Sequence, residues 1–198
     1  MNQHDIAPLN QMSASWRDVK LGTCSDATIG TDGCLVTCYA MLARVTPVTM
    51  NARMLAGGHF YKGCSAATFD VRAIGYPAAP ALVGVTRAYQ SVPFPATQLS
   101  RMLAHVRDGN PAIACIDRVP TTNKFDQHWL LLVGAFGTPG LEDFIIDDPY
   151  EGVQTSFLAR YGSLSRALVR VVLYGTSTRE PLAYSDGRQI GTARVEVK

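Results

Sequence analysis

The sequence predicts an α+β domain in which N-terminal helices pack on a C-terminal antiparallel sheet. Two patterns predict it. Between residues 34 and 106 the clearest apolar segments have helix length and end at Gly or Pro, whereas between residues 111 and 174 they have strand length and are separated by loops or Gly-Pro turn signals. Helices and strands do not alternate, which argues against βαβ units and a parallel sheet.

Taken in order, the first thirty residues read as an extended arm and loop, punctuated by Pro8, Gly22 and Gly30. Cys34 to Val45 contains neither Gly nor Pro, and its small apolar residues predict a buried helix that Pro47 ends. Thr49 is placed to cap a second short helix, M-N-A-R-M-L-A, stopped by Gly57 and Gly58. Between His59 and Pro80 a short helix is expected over Ala66 to Ala73. Thr97 to Val106 sets Leu99, Met102, Leu103 and Val106 at helical spacing, with Gly109 just past the end. Strands follow at Pro111 to Ile116, His128 to Phe136, Asp143 to Ile146 and Ala167 to Tyr174. Asp186-Gly187 predicts a hairpin between Leu182 to Tyr184 and Ile190 to Val197. The expected organisation is one domain over residues 1–175 and a C-terminal extension over 176–198, whose edge hairpin is a candidate for docking another protein chain.

Composition narrows the function. With 198 residues, nearly half of them apolar and only 17% charged, the chain is long enough for one filled core and too apolar for a disordered tail. A net charge of +2 without a Lys/Arg run argues against a nucleic-acid partner. The N-terminus has no basic and apolar signal regions, and no apolar stretch reaches about 18 residues, so neither export nor a membrane segment is expected. The location that follows is cytoplasmic or phage-associated. Five cysteines at irregular spacing suit mostly free thiols in a reducing compartment. Cys34 and Cys38 have no second Cys or His pair at ligand spacing, so no metal or other cofactor is expected.

One of those cysteines is placed for chemistry. A cysteine attacks as its thiolate, which the positive end of a helix and a nearby imidazolium both stabilise. Cys34 follows Gly30-Thr31-Asp32-Gly33 at a predicted helix start, where unpaired backbone N–H groups converge and Gly33 leaves room for a carbonyl to approach. An unpaired cysteine on an apolar helix is also an ordinary core residue, and Cys38 is read as one. His128 opens the run H-W-L-L-L-V-G after a polar loop, a setting that holds the ring rigidly while it faces a cleft. His4, His59 and His105 fall on the arm, in a loop after two glycines and at a surface-like helix end. A base histidine needs a group that fixes its tautomer, and Asp147-Asp148-Pro149 supplies one at the end of the next strand. Which aspartate points inward depends on the strand's period of two, and either satisfies the pattern.

The order Cys, His, Asp, with the cysteine on a helix and the others on strands, carries a family likeness. The stretch W-R-D-V-K-L-G-T-C-S-D-A-T-I-G-T-D-G-C-L-V-T-C-Y-A-M resembles the bacteriocin-processing, double-glycine type of papain-like cysteine peptidases, especially their stand-alone bacterial and phage relatives. H-W-L-L-L-V-G and I-D-D-P-Y are similar to the same family's His and Asp blocks, so the resemblance spans about Leu9 to Tyr150. It implies a papain-like fold with Cys34 as nucleophile, His128 as base and Asp148, the aspartate directly before proline, as the orienting residue. It also implies that Gln11 donates its side-chain amide to the oxyanion. The Gln11 to Cys34 segment is longer than in transporter-linked members. The implied activity is a cysteine hydrolase cleaving a peptide or peptidoglycan stem, and the alternative is a catalytically idle structural or binding module of a phage particle or other assembly.

Overall fold

A computed structural model describes residues 5–87, 96–119, 125–137 and 142–175, so the expected hairpin and docking extension beyond residue 175, and His4, lie outside the described residues. Three helices lie on the N-terminal side, and a six-stranded antiparallel sheet draws all but its first strand from the second half of the chain, as expected for an α+β fold. The helices are α1 (Ile29–Asp32), α2 (Cys34–Ala43), α3 (Pro47–Ala56), α4 (Ala96–Arg107), α5 (Phe157–Tyr161) and α6 (Leu164–Ala167). A small hairpin pairs β1 (Phe60–Tyr61) with β2 (Ser65–Ala66). The main sheet holds β3 (Ala81–Arg87), β4 (Ala112–Asp117), β5 (Gln127–Phe136), β6 (Asp143–Asp148), β7 (Val153–Ser156) and β8 (Leu168–Gly175) in the order β3-β8-β4-β5-β6-β7.

The sheet is covered on both faces, which explains why β5 reads as continuous apolar sequence rather than as an alternation. Trp129, Leu131 and Val133 join one core with Val36, Tyr39, Met50 and Met54 from α2 and α3. Leu130 and Leu132 join the opposite core with Met102 and Val106 of α4 and Phe157 of α5. Helix α2 runs through the first core with every residue from Leu35 to Leu42 buried, so it shows no amphipathic stripe.

Several boundaries differ from expectation for local reasons. Pro47 does not merely end α2. It occupies the first turn of α3, where its missing N–H has no partner to lose, and Thr46 caps the helix by accepting from the Thr49 N–H at 3.2 Å. The helix expected over residues 66–73 is replaced by β2 and a 3-10 turn at Val71–Ile74, capped by Asp70. His105 is buried, its Nε2 sitting 2.9 Å from the Tyr174 carbonyl, and is not a surface residue. His59 stacks on Phe69 at 4.0 Å between ring centroids.

The cysteines are mostly free, as expected, with one pair excepted. Cys24 and Cys64 form a disulfide, while Cys34, Cys38 and Cys115 are free. The pairing follows from a close backbone approach: the Thr23 N–H donates to the Gly63 carbonyl at 2.9 Å, and a Cβ on Gly22 would lie 2.2 Å from that same oxygen. Glycine at both positions, each with positive φ, lets the two turns touch. No helix among the described residues is long and apolar enough to cross a membrane.

Candidate functional site

Cys34 is the first residue of α2, and no side chain caps that helix start. Its leading N–H groups are therefore left for a ligand or water. The preceding turn is fixed by α1, where Thr28 and Thr31 form a reciprocal capping box. Gly33 has a role beyond opening the cleft: a Cβ there would lie 2.4 Å from the Ile29 carbonyl oxygen, so only glycine lets α1 and α2 join this tightly. Gly33→Ala is expected to cost about 1–3 kcal/mol by forcing the two helices apart. Thermal unfolding measures this, and an unchanged midpoint would contradict the close approach.

His128 is the second residue of β5 and is 3% exposed. The register Leu131↔Asp147 puts Asp147 on the α2 face of the sheet and, one step along, Asp148 on the other face, diagonal to His128. This settles the choice between the aspartates geometrically. The Asp148 Oδ1 lies 2.8 Å from His128 Nε2, whereas Asp147 accepts from Gln154 Nε2 at 2.7 Å. With Nε2 engaged, Nδ1 is the nitrogen left for Cys34, which lies within hydrogen-bonding reach of the ring.

The electrostatics follow from these contacts. Burial alone would lower the His128 pKa, but hydrogen bonds to Asp148 and Cys34 and their charges outweigh it and hold the ring at about 9. Burial would likewise raise the Asp148 carboxyl; the hydrogen bond and charge of His128, with Tyr161 and the Tyr150 N–H, instead hold it well below the usual carboxylate range. Asp147 shows the opposite balance, with burial pushing it up to about 6 against one bond from Gln154.

Asp148 is fully buried and has all four acceptor positions filled. Oδ1 takes His128 and the Tyr150 N–H at 2.9 Å, while Oδ2 takes Arg160 Nε and the Tyr161 hydroxyl, each at 2.5 Å. Arg160 in turn reaches Glu151 through both terminal nitrogens, at 2.9 and 2.8 Å. Sequence reasoning did not single out Arg160 or Tyr161. The only local signal is Ser156 before F-L-A-R-Y and Gly162 after it, which marks a helical turn and no chemistry.

Gln11 reaches the same place from the N-terminal arm. Its backbone N–H donates to the Pro149 carbonyl at 2.7 Å and its Nε2 to the Gly30 carbonyl at 2.8 Å. One amide proton on Nε2 remains, and Oε1 is buried without a partner among the described residues. Gly152 closes the contact, since a Cβ there would lie 2.5 Å from Asn10 Cβ. All four residues named from sequence are thus assembled. Gln11, Cys34 and His128 line one cleft of about 410 Å³, with Asp148 behind the ring.

No protein-family model matches this chain, and no curated protein matches it.

The rest of the cleft sets what can enter. Leu21, Leu35, Ala66 and Trp129 supply apolar lining, and Cys64 and Ser65 bring the disulfide-tethered hairpin into it. Arg118 lies over the Tyr150 ring at 5.4 Å and is paired twice with Asp126, at 2.9 and 3.0 Å. Arg170 stacks on Trp129 and donates to Thr68 Oγ1 at 2.7 Å. Among the described residues no group of three or more His, Cys, Asp or Glu side chains is arranged to hold a metal ion.

Proposed function

We propose that this chain is a papain-like cysteine hydrolase that cleaves an amide bond, with a peptide or a peptidoglycan stem as substrate. The observation that carries the reading is a free cysteine at an uncapped helix N-terminus, within reach of an imidazole whose far nitrogen is held by a buried carboxylate. The likeness of T-I-G-T-D-G-C and H-W-L-L-L-V-G to the double-glycine peptidase type supports it. A cleft with both apolar and polar lining beside Cys34 and His128 supports it as well.

In this reading His128 takes the Cys34 thiol proton on Nδ1, the sulfur attacks the scissile carbonyl carbon, and the carbonyl π electrons move to oxygen. The oxyanion accepts from the Cys34 N–H and from the second Nε2 proton of Gln11. His128 then protonates the leaving nitrogen as the C–N bond breaks, giving an amine and a thioester on Cys34. A water deprotonated by His128 attacks that thioester, and the acid and the free thiol are released. Asp148 keeps the proton on Nε2, so that Nδ1 faces sulfur throughout.

Alkylation of Cys34 tests this without knowledge of the substrate. At pH 6 iodoacetamide is expected to modify Cys34 at least about tenfold faster in the wild type than in His128→Ala, because an ordinary thiol is almost wholly protonated there. Cys34→Ala serves as the blank in that assay and as the inactive control on a peptide and muropeptide library. Slow labelling of wild type and His128→Ala alike would leave the chain as a structural or binding module.

A further inference from the structure

We propose that Arg160 and Tyr161 of α5 are positioning residues for His128, acting through Asp148: together they clamp one carboxylate oxygen so that the other stays aimed at the imidazole. This rests on the reading of Cys34 and His128 as a catalytic pair. Neither residue lines the cleft, so neither is placed to touch substrate.

The clamp is built from three directions. Arg160 Nε and the Tyr161 hydroxyl both donate to Oδ2, and Arg160 Nε lies 3.2 Å from the Tyr161 hydroxyl oxygen, so the two donors fix each other as well as the carboxylate. Glu151 holds the far side of the guanidinium through a second two-point pair. The helix that carries both donors is itself pinned. Ser156 accepts from the Ala159 N–H at 3.0 Å, and Asp143 on β6 accepts from the Leu158 N–H at 3.0 Å. Phe157 is fully buried in the α4-side core and tilts against the Tyr161 ring at 5.5 Å.

A buried carboxylate without such donors is free to rotate about its Cβ–Cγ bond and gains by turning away from the imidazole toward any better partner. Here rotation breaks two charge-assisted or short bonds at once. The charged and titratable groups facing Asp148 are His128 from β5, Arg160 and Tyr161 from α5, and Glu151 behind Arg160, with Cys34 reached through the histidine ring and the buried Cys38 of α2 near enough to feel the carboxylate's charge. The imidazole sits on one carboxylate oxygen and the clamp on the other, so clamp and histidine do not compete for a lone pair.

Tyr161→Phe tests the inference, because it removes one donor without changing charge or shape. Two readouts are taken: the His128 ring titration by NMR, and the rate of Cys34 alkylation at pH 6. Loss of a donor alone would make the carboxylate a stronger partner for the imidazolium and move the His128 midpoint up. Loss of orientation moves it down, here by about one unit or more, with Cys34 alkylation slowed about tenfold. Arg160→Gln is expected to shift both readouts the same way, and Arg160→Lys to restore part of the loss. An unchanged or raised midpoint in variants with wild-type circular dichroism overturns the proposal. If Tyr161→Phe does not fold, Arg160→Gln decides by the same criterion, and failure of both to fold overturns it in favour of a purely structural role. If wild type alkylates no faster than His128→Ala, the catalytic reading itself falls and this inference with it.

Discussion

If the proposed hydrolase reading holds, Asp148→Ala is expected to lower amide hydrolysis by about 10²–10⁴-fold, the range contributed by a positioned acid–base group, and in any case to destabilise the fold by about 3–5 kcal/mol. The two losses have one origin. Four donors converge on this carboxylate, and removing it leaves the Arg160 guanidinium, the Tyr161 hydroxyl, the Tyr150 N–H and the His128 ring facing a void. Arg160 keeps Glu151, which moderates the charge penalty but leaves the ring with nothing to hold its tautomer. Asp148→Asn is a sharper probe. An amide has one acceptor oxygen where the site presents donors on both sides, so its NH₂ must oppose either His128 and Tyr150 or Arg160 and Tyr161. It is expected to fall between wild type and Asp148→Ala in both turnover and stability. Equilibrium denaturation and cleavage of a peptide library measure the pair of effects, and a fully active, fully stable Asp148→Ala would remove this residue from the mechanism.

The same contacts give stability a pH dependence with a definite sign. His128 titrates at about 9 in the folded chain against 6.5 for an unperturbed imidazole, so the folded state holds its proton more tightly. That contribution is complete below pH 6.5 and is lost as pH rises through about 9. Asp148 runs the other way, since its folded carboxyl lies below 3.8: its contribution is present above that pH and lost on acidification. Asp147, raised to about 6, favours the folded state only while protonated and opposes it as pH rises through that value. Asp147→Asn is therefore expected to raise stability at neutral pH in equilibrium denaturation and to leave Cys34 alkylation unchanged, in direct contrast to its neighbour.

How far the sequence carries depends on whether a signal is local. Helix α2 and strands β4, β5, β6 and β8 were legible because unbroken apolar runs end at Gly, Pro or polar loops, and Cys34 and His128 sit at the ends of such runs. β3 was not, because Pro80 precedes it and Gly84 interrupts it at a register shift, so its seven residues gave no clear strand signal. The choice of Asp148 over Asp147 needed the strand register, which the apolar pattern does not specify once both faces are buried. Arg160 and Tyr161 were silent for a related reason. A helical turn ending in A-R-Y looks like exposed surface until Asp148 is found beneath it.

The disulfide is the largest departure from the sequence reading, and its removal has a correspondingly large expected effect. Cys24 and Cys64 are 40 residues apart, and closing a loop of that length in the unfolded chain is worth about 4 kcal/mol. For a domain of this size that corresponds to roughly 8–16 °C in unfolding midpoint. The measurement is made in a Cys34→Ser background, where Cys24→Ser with Cys64→Ser is compared with the oxidised parent, so that no thiol exchange with Cys34 enters. Cys64, Ser65 and Ala66 line the cleft, and the bond ties them to the turn after Leu21, another cleft residue. With Cys34 restored, the double variant is therefore expected to weaken substrate binding more than it slows alkylation of Cys34, whose helix start is held separately by Gly33 and Ile29. A midpoint that does not move on removing both cysteines would show that the Gly22–Gly63 contact holds the two turns without the covalent link.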